Sequence, residues 1–189
     1  MLTRRTFLQS SLLVLTVPAG NAVNAASRFP GPVTLRTFST CGCADSEQFQ
    51  NVFPANCEII GRDIGDCLQL FPDNSEKNNT SVLFGLTKDT DQLLIGQLAI
   101  EGGYRPIYTG RHQYTPAHLQ HVLNGSRETM AELQSVLHDA EKYWSKALAR
   151  NLSRVIASTG LEQHRELSSP VTRPQGSPGY LVSWVYRKG

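Results

Sequence analysis

Between Leu119 and Val155 apolar residues return at Leu119, Leu123, Met130, Leu133, Leu137, Ala140, Trp144, Leu148, Leu152 and Val155. The steps are threes, fours or sums of them, the spacing of one face of an α-helix. Thr115-Pro116 supplies a helix start, with Thr as cap and Pro at the first helical position. Gly160 stands where the helix should end, and Asn124-Gly125 marks a bend or break that leaves the stripe in register. A stripe this long has to be covered, so the rest of the chain should supply a sheet for it to pack on.

Strand-like segments are present on both sides of the stripe. Val33 to Phe38 is rich in β-branched residues, and Asp45 or Ser46 can cap a short helix that stops at Pro54. Cys57–Ile60 and Cys67–Phe71 are short apolar runs, and Asp73 to Thr80 is a polar turn cluster without the Gly and Glu of a calcium loop. Ser81–Leu86 and Leu93–Ile100 read as strands joined by a turn around Lys88-Asp89-Thr90-Asp91, with Tyr104–Tyr108 returning. Ser168 to Gly179 is a Pro/Gly/Ser-rich loop, and Tyr180–Tyr186 has the composition of a closing strand. The expected fold is α+β: an antiparallel β-sheet packed against one long amphipathic α-helix, with a disulfide-stapled N-terminal region.

Residues 1–25 stand apart from that fold. Thr3-Arg4-Arg5-Thr6-Phe7-Leu8 precedes an apolar stretch from Leu12 to Ala19, and Val23 and Ala25 place small residues at −3 and −1 of a cleavage site after Ala25. The segment resembles the twin-arginine family of bacterial export signals, with Gln9 where that family often has lysine. The resemblance implies export of a folded chain to the periplasm or beyond. The apolar stretch falls short of the roughly 20 residues that span a bilayer, so no permanent membrane anchor is expected. Residues 26–189 then form a single domain of 189 − 25 = 164 residues.

Removing the signal takes away two of 18 basic residues and none of 16 acidic ones, leaving 16 of each. A neutral chain offers no electrostatic case for nucleic acid or an anionic membrane as its partner. Cys41, Cys43, Cys57 and Cys67 lie within 27 positions. In an oxidising compartment an even count points to disulfides, with three pairings open. Cys41 and Cys43 are too close to pair without strain, so each is expected to bond to one of the other two. Cys41-Gly42-Cys43 is also a candidate thiol-redox site, although its C-x-C spacing differs from the C-x-x-C of thioredoxin-like proteins.

His112, His118 and His121 cluster ahead of the stripe. On a helix His118 and His121 would share a face, and His112 could complete a three-nitrogen site for a transition metal. His138 and His164 are solitary. Tyr104-Arg105, Tyr108, Arg111-His112 and Tyr114 form a polar-aromatic run suited to an anion or a partner surface. The chain has no G-x-S-x-G, S-x-x-K, H-E-x-x-H, P-loop or Rossmann glycine pattern. The leading expectation is a non-catalytic binding or accessory protein exported with a protein partner. A metal- or cofactor-dependent protein built on the histidines, and a thiol-redox protein, are the alternatives.

Overall fold

A computed structural model of the chain describes residues 33–40, 42–52, 57–60, 80–156, 161–171 and 173–188. Strand β1 (Val33–Thr40) leads into helix α1 (Ala44–Gln50) and strand β2 (Cys57–Ile60), which lies parallel to β1. Strand β3 (Thr80–Thr87) joins the other side of β1, again parallel, and runs into helix α2 (Asp89–Glu101). Strands β4 (Arg105–Tyr114) and β5 (Leu119–Gly125) form an antiparallel hairpin. Helices α3 (Arg127–Ala140) and α4 (Trp144–Ile156) follow, separated by a 3-10 turn at Glu141–Tyr143, and then strands β6 (Gln163–Ser169) and β7 (Tyr180–Lys188).

These strands form one sheet in the order β2-β1-β3-β7-β4-β5-β6. The α+β class is as expected, but the sheet is mixed rather than antiparallel. β7 lies between β3 and β4 and is antiparallel to both. All residues of β3 after Thr80 are buried, as a central strand covered on both faces requires.

One face carries the larger core. Phe49 of α1, Met130, Leu133 and Leu137 of α3, and Trp144, Leu148, Leu152 and Val155 of α4 pack there on Val82, Phe84, Leu86, Leu181 and Val185. Helix α2 covers part of the other face, where Ile95 and Ala99 meet Phe38, Leu83, Val182, Trp184 and Tyr186. Gly85 is needed beneath that layer. A Cβ on it would lie 2.7 Å from Cζ2 of Trp184 and 2.7 Å from the Phe38 carbonyl oxygen.

The single long helix is thus corrected to a strand and two helices. Thr115-Pro116 opens a hairpin turn, not a helix: the Thr115 hydroxyl accepts from the His118 amide at 3.1 Å, and the Thr115 amide donates to the His118 carbonyl at 2.8 Å. Ser126 is the actual helix cap, its hydroxyl accepting from the Thr129 amide. The stripe from Met130 onward is helical but is interrupted at Glu141, whose φ is 46° and ψ −123°. Side chains other than glycine are strained there. Glu141→Gly should therefore raise stability by about 1 kcal/mol, the relieved strain exceeding the entropic cost of a glycine. A thermal-melt midpoint that fails to rise would refute that account.

Leu93–Ile100 is likewise corrected from strand to helix. Lys88 is the cap residue of α2, and Asp89 and Asp91 occupy its first turn, where carboxylates favour the positive end of the helix dipole. Cys43 carries a free thiol and is buried in the larger core, which contradicts the staple expected for it. Its position explains this: the thiol packs as a small apolar group at the corner between β1 and α1. Cys41, Cys67, the cleavage site and the twin-arginine segment lie outside the described residues. Cys57 is described only as part of β2. Among the described residues no helix is long and apolar enough to cross a membrane.

Candidate functional site

Strand alternation sends two of the three clustered histidines into the larger core. His112 of β4 and His121 of β5 are direct cross-strand partners, and both are fully buried. Their Nδ1 atoms are 2.7 Å apart, so one ring donates to the other. Nε2 of His112 lies 2.7 Å from the Ser183 hydroxyl of β7, which is itself 2.9 Å from the Tyr108 hydroxyl. Nε2 of His121 is buried and has no hydrogen-bond partner among the described residues. Leaving a lone pair unmet costs less than leaving an N–H unmet, so the favoured tautomers run in one direction. His121 donates from Nδ1 to His112 Nδ1, and His112 donates from Nε2 to Ser183.

Burial is the main cause of the histidines' ionisation behaviour. It holds His112 well below the usual imidazole range, with the neighbouring His121 adding to the effect. It lowers His121 to about 4. Both rings are neutral at physiological pH. Burial also pushes the Tyr108 hydroxyl up, so it remains protonated. Gly110 admits this network, since a Cβ there would lie 2.5 Å from both the Ser183 and Tyr108 hydroxyls.

Trp144, the first residue of α4, joins the network to a second one. Its ring lies against His112 at a centroid distance of 4.4 Å and meets His121 edge-on at 5.4 Å. Its indole N–H donates to the Tyr114 hydroxyl at 2.9 Å. Tyr114 donates in turn to the Asp45 carboxylate, 3.1 Å from either oxygen, and Ser177 donates to the same group at 3.3 Å. Burial raises the Asp45 pKa, against the opposing pull of these hydroxyl and indole donors. These residues pin α1, β4, α4 and the loop before β7 to one another.

The three-histidine arrangement does not form. His118 is exposed in the β4–β5 turn, while His112 and His121 point into the core. Among the described residues there is no group of three His, Cys, Asp or Glu side chains placed to hold a metal. His164 is exposed and bonds to Asn124 and Glu166. The sequence did place His112 near His121 but paired His121 with the wrong neighbour. Ser183, Trp144 and Asp45 carried no local signal beyond strand, stripe and cap.

The polar-aromatic run divides by strand parity. Tyr108, His112 and Tyr114 face the larger core, whereas Arg111 points to the opposite side. There Arg111 and Thr109 of β4, Tyr180 and Val182 of β7, and Asp89 and Gln92 of α2 line an open groove of about 410 Å³. Gln92 is held by the Tyr186 hydroxyl at 3.1 Å. Arg111 and Asp89 both act electrostatically on the Tyr180 hydroxyl, whose pKa is raised chiefly by burial. Among the described residues neither charge makes an ion pair or hydrogen bond. Comparison of the chain with protein-family models, curated proteins and solved structures found no match.

Proposed function

We propose that this chain is an exported, non-catalytic binding or accessory protein and that its groove beside α2 is the binding site. The observation that carries the reading is the contrast between the two faces of the sheet. His112, His121, Ser183 and Trp144, the groups with the look of chemistry, have 0% exposure and are engaged with one another. On the other face Arg111, Asp89 and Tyr180 stand at an open groove, and among the described residues their side chains make no hydrogen bond or ion pair. Buried polar groups that hydrogen-bond and pack on one another help specify a core, even with His121 Nε2 left over, whereas polar groups at a concave surface suit a ligand. Export rests on Arg4-Arg5 and the segment that follows them.

The protein should be tested as the host exports it. Native mass spectrometry of the periplasmic fraction should find the chain with a bound molecule or a stoichiometric partner, lost in Arg111→Ala. An empty, lone wild-type chain would overturn the binding reading. Arg4→Lys with Arg5→Lys should leave the protein in the cytoplasm, and undiminished export would overturn the twin-arginine assignment.

A further inference from the structure

We infer that the groove takes a small zwitterion, a free amino acid or short peptide, with its carboxylate on Arg111 and Tyr180 and its ammonium at Asp89. This rests on the binding reading above and names its ligand class. The groove places one cation and one anion around a single phenol: both Arg111 and Asp89 act on the Tyr180 hydroxyl, yet they do not pair with each other. A gap between unpaired opposite charges is the complement of a molecule carrying both signs.

The register shows how the strand groups come together. Arg111 is directly opposite Val182, and Tyr180 lies two residues before Val182 on β7, opposite Gln113. Arg111 and Tyr180 are therefore diagonal neighbours on the same face, within reach of each other for long side chains. The guanidinium offers the planar fork that matches a carboxylate, and the phenol adds a donor. Asp89 approaches from the first turn of α2, across the groove. Val182 and the Tyr180 ring supply the apolar part of the lining, while Thr109 and Gln92 add neutral polar groups.

Charge excludes the simpler ligands. A phosphate or dicarboxylate would meet Asp89 unpaired, and a plain cation would meet Arg111 unpaired; either leaves like charges in apposition. The volume of about 410 Å³ is at the small end of ligand sites, suited to one to three amino-acid residues.

Calorimetric titration of the exported protein with the twenty free amino acids and with alanine di- and tripeptides tests this. At least one should bind, and its N-acetyl and C-terminal amide derivatives should each bind at least tenfold more weakly. Arg111→Ala should weaken the free form at least tenfold, and Arg111→Lys several-fold because it lacks the fork. Asp89→Asn should weaken the free form but not the N-acetyl derivative. Blocked derivatives that bind as well as the parent, or no binding by any probe, would overturn the inference. If the host-exported protein nonetheless holds a molecule or partner that Arg111→Ala releases, the binding reading survives and only the ligand class falls.

Discussion

Trp144→Ala is expected to destabilise the protein by about 3–5 kcal/mol, the range for removing a large buried aromatic side chain. Trp144 has no exposed surface and lies among His112, His121 and Tyr114. Its loss opens a cavity against two neutral imidazoles and removes the N–H that the Tyr114 hydroxyl accepts. Trp144→Phe separates packing from hydrogen bonding. It keeps most of the ring contact and loses one partly buried bond, at a cost of about 1–2 kcal/mol. Urea denaturation followed by circular dichroism measures both, because Trp184 complicates a fluorescence signal. A loss for Trp144→Ala no larger than that for Trp144→Phe would show that the ring does not hold the two networks together.

That ring belongs to the stripe that the sequence displays most openly, and the stripe shows both the reach of sequence reading and its limit. From Met130 to Val155 the helical period is real, because residues of α3 and α4 all return to one sheet face. Leu119 and Leu123 fit the same period but belong to a strand. A spacing of four satisfies helix and strand alike, and only the alternating burial of β5 separates them. Thr115-Pro116 then misleads, because the hydroxyl that would cap a helix closes a hairpin turn. With β5 read as helix, His118 and His121 appeared neighbours, when His112 and His121 are the pair.

Helix α2 lacks a legible pattern for a different reason. Its apolar residues lie all round: Ile95 and Ala99 are buried, while Leu93 is 69% and Ile100 55% exposed. No amphipathic pattern is left to find, and the first-turn Asp89 and Asp91 were the remaining cue. Strands β1, β3 and β7 were legible from composition, but of β4 only the start, the expected strand ending at Tyr108 where the observed one runs on to Tyr114. The insertion of β7 between β3 and β4 was not, because local sequence does not specify which edge a distant strand will join. The groove depends on that insertion, since Tyr180 and Arg111 meet only through it.

Acid should unfold the protein through the same buried pair, and the sign follows from its proton balance. His121 is held at about 4 in the folded state against an ordinary value of 6.5. Between these values the unfolded chain binds the proton and the folded chain does not, so stability is complete above about pH 6.5 and is lost as pH falls toward 4. The shift corresponds to about 3 kcal/mol for His121 alone. His112 is displaced in the same direction and adds to the loss. A proton forced onto His121 would leave Nε2–H without an acceptor and place a cation against His112 and Trp144. Asp45 acts oppositely: its raised pKa means that the carboxyl gains a proton more readily folded than unfolded, which offsets part of the loss in acid. Unfolding free energies at pH 7.5 and 4.5 should thus differ by at least about 2 kcal/mol more in the wild type than in His121→Leu, which cannot take up the proton. Equal pH dependence in the two proteins would exclude His121 as the acid-sensitive group. An NMR titration of the folded protein in which the His121 ring protonates near 6.5 would do the same.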